Sequence, residues 1–215
     1  YRNIFINQVI IFRIKIINNI NDNYDYFYVK QADASRVFGL ELEELLSPNR
    51  VVYMVFQKTL IEEHIVGIPG DQFITNNLKE AGHNEVRIAK EFVKFNERCY
   101  RRLLGDMRAY NFIVDITPDF DQIQYRLRAI DFDQQSYEGR RSFYLPHYFK
   151  ENRPYVDFGI KHLSAESVEQ YQAEERTAMA RRIHNDKSKL KELLDSMKEH
   201  QLSTPEKIKQ LRQEL

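Results

Sequence analysis

The sequence predicts an α+β protein of two lobes, in which a small antiparallel sheet comes first and a mainly helical region follows. Three observations predict this fold class. Short apolar runs between polar turns fill the first 66 of the 215 residues, which is typical of strands. Glycine and proline interrupt the chain at residues 67–70, and amphipathic helical patterns dominate the rest. We therefore expect a first lobe at residues 1–66, a hinge at 67–70 and a second lobe at 71–215.

The first lobe is expected to contain four strands and one helix. Apolar residues at helical spacing predict the helix over residues 34–46, with Asp33 or Ser35 as its N-cap. An asparagine-rich turn at residues 18–23 predicts that the first two strands form an antiparallel hairpin. The predicted strands are residues 8–17, 24–31, 50–56 and 60–66.

The second lobe begins with a long amphipathic helix predicted over residues 85–104. Two apolar runs, residues 112–116 and 125–130, then predict a β-hairpin. From Ser164 onward the chain is helical and highly charged, with a break at residues 203–206. These C-terminal helices either pack on the second lobe with one solvated face or serve as a protein-interaction surface.

Composition excludes several classes of protein. Lys+Arg and Asp+Glu both number 32, so a net charge of zero argues against a dedicated nucleic-acid binder. Cys99 is the single cysteine, so no intrachain disulfide can form, which fits a cytoplasmic location. Its place in the amphipathic helix predicts a buried thiol. No apolar run is long enough to predict a membrane span, and the first residues do not look like a signal peptide.

The residues that carry chemistry follow the long helix. Asp106 precedes Asn111 by five positions, and a second apolar run ends in Asp131, followed by Asp133. Phosphoryl transfer from a magnesium nucleotide needs a carboxylate at the acceptor hydroxyl and oxygen ligands for the metal. A loop that carries Asp106 and Asn111 beside a strand that ends in Asp131 suits this chemistry. As isolated residues, all three would be ordinary turn or strand-end positions.

The segments Gly105-Asp106-x4-Asn111-Phe112-Ile113-Val114-Asp115 and Ala129-Ile130-Asp131-Phe132-Asp133 resemble the catalytic and metal-binding loops of the protein-kinase-like and aminoglycoside-phosphotransferase superfamily. The resemblance implies a two-lobe kinase-like fold, with ATP and Mg²⁺ as cofactors. It implies that Asp106 is the catalytic residue. It also implies that Asn111 and Asp131 bind the metal, with help from Asp133.

The first lobe agrees with this resemblance in the order of its segments. Tyr28-Val29-Lys30 resembles the strand with the family's phosphate-binding lysine, and Glu44 in the following helix is the favoured partner of Lys30. Residues 60–67 resemble the hinge that contacts adenine through its backbone, which implies nucleotide contacts at Glu63 and Ile65. The resemblance covers residues 8–135.

Three departures from the family pattern keep alternatives open. Leu104 stands where the family usually has histidine, Asp133 stands where it has glycine, and residues 8–17 contain no glycine. The first hypothesis is therefore that the protein is an ATP- and Mg²⁺-dependent phosphotransferase that acts on a hydroxyl of a protein or small molecule. The alternatives are an inactive pseudokinase that binds nucleotide or protein, and a helical interaction protein in which the motif is coincidental.

Overall fold

The computed structural model describes residues 11–77, 84–119 and 122–214. It has a small antiparallel sheet near its start and a helical C-terminal region, so the α+β fold class is confirmed. Tertiary contacts divide the chain into two units. Among the described residues, the first unit comprises those up to Asp33 together with Val51–Ile65, and the second comprises Ala34–Arg50 together with those from Val66 onward.

The first unit is built on an antiparallel sheet whose strands lie in the order β1-β2-β4-β3. The strands are β1 (Phe12–Ile17), β2 (Tyr24–Gln31), β3 (Tyr53–Phe56) and β4 (Thr59–Glu63). The predicted hairpin is present, and its turn is closed by a 2.7 Å hydrogen bond from Asn18 N–H to the Asn23 carbonyl. Residues 8–10 of the predicted first strand lie outside the described residues.

The second unit contains a smaller antiparallel sheet and the helices. Its strands, in the order β5-β6-β7, are β5 (Ile68–Pro69), β6 (Phe112–Asp119) and β7 (Gln122–Ala129). Its helices are α1 (Ala34–Leu46), α2 (Gly70–Gln72), α3 (Glu85–Arg102), α4 (Arg153–His162), α5 (Ala165–Asn185), α6 (Lys187–Glu199) and α7 (Pro205–Glu214). A π-helical turn, Phe73–Asn77, extends α2, and 3₁₀ turns lie at Ala109–Asn111, Arg141–Tyr144, Pro146–Tyr148 and Lys150–Asn152.

Helix α3 is the central element of the second unit and positions the loop that follows it. The Asn84 side chain caps its start by accepting a hydrogen bond from Arg87 N–H at 3.1 Å. Its apolar side packs inward, with Phe92, Phe95 and Cys99 buried. The helix ends at Arg102, and the left-handed backbone (φ 58°) of the capping residue Leu103 turns the chain toward Asp106.

The division of the chain differs from the predicted lobes in the placement of α1. This helix belongs to the second unit, because its apolar residues Leu42 and Leu46 form a core cluster with Met179 of α5. The predicted hinge at residues 67–70 also has regular structure, since Ile68 and Pro69 pair with β6. An amphipathic pattern shows that a helix has a buried face, but it does not show what covers that face.

A buried ion-pair cluster joins three elements of the second unit. Arg98 of α3 contacts Glu91 Oε1 at 2.7 Å and Glu175 Oε1 of α5 at 3.4 Å, and it donates a 3.1 Å hydrogen bond to the Leu127 carbonyl of β7. Burial lowers the pKa of Arg98, but Glu91 and Glu175 more than offset that effect, so its pKa is raised. The guanidinium therefore stays charged and holds α3, α5 and β7 together.

Candidate functional site

The predicted catalytic loop lies between α3 and β6, and backbone hydrogen bonds fasten it to the segment that follows β7. Leu104 bridges to Gln135, and Gly105 N–H donates to the Gln134 carbonyl at 3.1 Å. A Cβ on Gly105 would lie 2.3 Å from the ring of Phe143, so only glycine fits at this position. The loop therefore has a fixed place beside residues 131–136.

Asp106 has an unusual backbone conformation within this loop. Its φ is 55°, a left-handed value that costs an ordinary L-residue about 1–2 kcal/mol. Its carbonyl accepts hydrogen bonds from Arg108 N–H at 2.8 Å and from Asn111 Nδ2 at 2.7 Å. Its carboxylate Oδ1 contacts Arg108 Nε at 2.7 Å. A strained backbone held by this many contacts is typical of functional sites.

Arg108 extends the polar network away from Asp106. Its Nη1 lies 3.0 Å from Glu151 Oε1. The hydrogen bond to Asp106 is the largest cause that raises the pKa of Arg108. The pKa of Glu151 is lowered, first by a backbone hydrogen bond and further by Arg108. Neither residue was among the predicted site residues, although Arg108 lies only two positions after Asp106.

Asn111 is held so that its two amide atoms have distinct roles. Because Nδ2 donates to the Asp106 carbonyl, the orientation of the side-chain amide is fixed. The Asn111 carbonyl accepts a 3.0 Å hydrogen bond from Ile130 N–H, the residue directly before Asp131. None of the described residues donates a hydrogen bond to Asn111 Oδ1. An amide oxygen of this kind is a suitable ligand for a hard cation.

Asp131 and Asp133 lie in the turn after β7. Asp131 Oδ1 accepts a long hydrogen bond of 3.4 Å from Asp133 N–H, and the Asp133 carboxylate lies 3.4 Å from Arg36 Nη2 of α1. Phe132 between them is fully buried. A Cβ added to Gly39 of α1 would lie 2.8 Å from the Cβ of Phe132, so Phe132 packs closely against this helix. Helix α1 thus supports the turn that carries both carboxylates.

The oxygen atoms of Asn111, Asp131 and Asp133 are the candidate ligands for a metal ion. Among the described residues, no three His, Cys, Asp or Glu side chains cluster in a way that could hold a metal ion. Mg²⁺ is usually bound by one or two carboxylates that act together with substrate phosphates and water, not by a cage of protein groups. The Oδ1 atom of Asn111 and the carboxylate of Asp131 suit that mode of binding. Asp133 is less suited, because Arg36 already contacts it.

Helix α7 holds the segment beyond Asp133. Lys207 Nζ lies 3.1 Å from Glu138 Oε2 and 4.5 Å from the ring centre of Tyr137. A Cβ on Gly139 would lie 2.6 Å from the Lys207 carbonyl, which shows how close the two segments are. This part of the C-terminal helices therefore packs on its own chain.

The predicted nucleotide-binding lysine is found in an ion pair within the first unit. Lys30 Nζ lies 2.7 Å from Glu62 Oε2, and the two side chains are only 9% and 5% exposed. Both residues lie on one face of the sheet, as diagonal neighbours on β2 and β4. Glu44, the predicted partner of Lys30, instead lies 3.6 Å from Arg50. Sequence reasoning missed Glu62 because the register of β2 against β4 decides the pairing.

The two residues predicted to contact adenine, Glu63 and Ile65, differ in whether their backbone N–H groups donate a hydrogen bond to a described residue. Glu63 N–H donates to the Val52 carbonyl at 2.9 Å, and the Glu63 carboxylate accepts from Val52 N–H at 2.9 Å. Ile65 is buried, and its N–H donates to none of the residues that the structure describes. A backbone donor in a buried residue usually has a partner, so Ile65 N–H is suited to an added acceptor.

Within the described ranges, no helix combines the length and the apolar character that crossing a membrane requires. The sequence matches no model of a protein family and no curated protein sequence.

Proposed function

We propose that this chain is a kinase-like phosphotransferase that uses ATP and Mg²⁺ to phosphorylate a hydroxyl group of a protein or small molecule. The proposal rests on the backbone hydrogen bonds that connect the Asp106–Asn111 loop to the turn that contains Asp131. Hydrogen bonds from Ile130 to Asn111 and from Gly105 to Gln134 lie on either side of Asp131. They set one amide oxygen and two carboxylates on rigid, adjacent backbone, which is what catalysis by positioning requires.

Each residue has a distinct role in this proposal. Asp106 orients the acceptor hydroxyl, and its contact with Arg108 fixes the direction of its carboxylate. Asn111 Oδ1 and the Asp131 carboxylate hold Mg²⁺, which neutralises charge on the transferred phosphoryl group when bound. Taken by itself, the first unit offers Lys30 as a cation for phosphate groups, and it offers the Glu63 carbonyl and the Ile65 N–H as an acceptor and a donor for an adenine edge.

A second candidate function is a nucleotide-binding pseudokinase on the same fold, and two observations favour it. Strand β1 contains no glycine that would let its backbone approach phosphates closely. In addition, Lys30 already has a buried carboxylate partner in Glu62. A phosphate would have to compete with that pair, and separating a buried ion pair is costly.

The test compares the wild type with Asp131→Ala. Mg²⁺-dependent nucleotide binding is measured by calorimetry, and turnover is measured as phosphate transfer or release from ATP. We expect Asp131→Ala to lower turnover by about 100-fold or more, the usual effect of removing an electrostatic contact to the transition state. The control is Asp157→Ala on α4, which removes an exposed carboxylate paired with Arg153.

The outcomes separate the two candidates. Turnover that depends on Asp131 supports the phosphotransferase. Nucleotide binding that depends on Asp131, without turnover in the wild type, supports the pseudokinase. A wild type that binds no nucleotide with Mg²⁺, or an Asp131→Ala variant with undiminished activity, contradicts the kinase-like assignment.

A further inference from the structure

A cavity of about 230 Å³, partly open to solvent, lies among helices α3, α4 and α5 in the second unit, and its lining includes no residue of the Asp106 and Asp131 loops. Its walls are mainly apolar, and none of the side chains that line it is Lys, Arg, Asp or Glu. The main apolar contributors are Phe92, Val93, Val156, Ile160 and Val168. A cavity of roughly 150 Å³ can hold benzene, so this one has room for one or two fused rings.

Gly159 widens this cavity at the middle of α4. Glycine inside a helix costs about 1 kcal/mol relative to alanine, so its presence there calls for a structural reason. Close packing is not the reason, because a Cβ on Gly159 would have no atom within 4 Å. A left-handed backbone is not the reason either, since the residue lies within regular helix. The remaining effect of the missing side chain is open space in the cavity wall.

The polar residues that line the cavity are His147, Asn96 and Gln172, and hydrogen bonds fix the state of the first two. Asn96 Nδ2 donates to the Phe92 carbonyl at 2.7 Å, and Asn96 Oδ1 accepts from His147 backbone N–H at 2.8 Å. A carbonyl can only accept and a backbone N–H can only donate, so the amide orientation of Asn96 is certain.

The fixed amide then determines the tautomer of His147. Asn96 Oδ1 lies 2.9 Å from His147 Nδ1, and an amide oxygen has no proton to give. The proton must therefore be on Nδ1, and Nε2 of the neutral ring is an acceptor. His147 is an exposed residue, and the partial desolvation of its ring still lowers the pKa of the imidazole, which favours this neutral form. The lining thus combines apolar walls with the exposed His147 imidazole, whose Nε2 is an acceptor, and with the amide of Gln172.

We propose that this cavity binds a small, neutral aromatic molecule that carries a single hydrogen-bond donor, as indole and phenol do. The apolar walls accept the rings, and His147 Nε2 accepts the N–H or O–H group. A neutral ligand is favoured over a charged one, because the walls provide no opposite charge to offset the desolvation of a charged group. The proposal is independent of the kinase-like assignment.

Indole is a convenient probe because the chain has no tryptophan, so indole fluorescence can be followed against the weaker signal of tyrosine. The full chain is titrated with indole and with 1-methylindole, which lacks the donor. We expect saturable binding of indole that is about 3- to 10-fold tighter than that of 1-methylindole, the usual net effect of one hydrogen bond. His147→Phe keeps a ring of similar bulk but removes the acceptor, so the preference should disappear.

A second experiment fills the cavity with a larger side chain. Gly159→Leu should abolish indole binding, whereas Gly159→Ala should retain most of it and raise the melting temperature. If Gly159→Leu does not fold, Val168→Phe fills the cavity from α5 and serves in its place. The proposal is overturned if the wild type shows no saturable binding at millimolar indole, if cavity filling leaves binding unchanged, or if His147→Phe retains the preference.

Discussion

Asp106 combines a left-handed backbone with a side chain that contacts Arg108, and two substitutions can separate these features. Asp106→Ala and Asp106→Gly both remove the carboxylate and its contact with Arg108. The stability lost with that contact is therefore the same in both variants and does not affect the difference between them. Alanine keeps a Cβ in the left-handed region, at a cost of about 1–2 kcal/mol. Glycine avoids that cost but loses about 0.5–1 kcal/mol more conformational entropy on folding. We therefore expect Asp106→Gly to be more stable than Asp106→Ala by about 0.5–1 kcal/mol.

The measurement is thermal unfolding of both variants by calorimetry. For a chain of this size, 1 kcal/mol corresponds to about 2–4 °C, so the glycine variant should melt about 1–4 °C higher. Asp195 in α6 provides the control, because its backbone is helical. The order should reverse there, with alanine more stable than glycine by about 1 kcal/mol. If alanine equals or exceeds glycine at position 106, the left-handed backbone does not have the assigned cost.

Two further predictions concern ion pairs of the second unit. Arg98→Met leaves the buried Glu175 without its cation, so we expect a loss of about 3–5 kcal/mol in chemical denaturation. Removing the exposed Lys198 of the Lys198–Asp195 pair should change stability by less than about 0.5 kcal/mol, and equal losses would contradict the argument. Hydrogen bonds from Lys161 and then His162 lower the pKa of Glu85 from 4.5. Wild type should therefore be more stable than Glu85→Gln at about pH 7, and urea titrations should show this difference vanish as the pH falls below 4.5 and through the lowered pKa.

Local patterns in the sequence were sufficient for the elements that neighbouring residues determine. The asparagine-rich turn placed the β1–β2 hairpin, and the apolar period placed α3 over Glu85–Arg102, within two residues of its predicted end. The hairpin between Asn111 and Asp131 also forms where two apolar runs separated by a turn predicted it. These features depend on contacts between residues that are close in the chain, so their signals survive in a single sequence.

Features that depend on distant residues could not be predicted in the same way. The choice of Glu62 over Glu44 as the partner of Lys30 depends on strand register. The position of α1 in the second unit depends on its apolar contacts with α5, more than 130 residues later in the chain. The left-handed backbone of Asp106 is held by contacts with Asn111 and Phe143, and no propensity of aspartate alone specifies it. Tertiary context determines each of these outcomes.

Cys99 gives the second unit a built-in reporter of its own opening. It is the only cysteine in the chain and is completely buried in α3, and burial raises the pKa of its thiol far above the ordinary value. The thiolate is the nucleophile that attacks a thiol reagent, and it must be exposed to do so, so modification must wait until α3 separates from its neighbours. The rate of labelling by a thiol reagent therefore measures how often this helix opens, without any engineered cysteine and in the presence or absence of a candidate ligand.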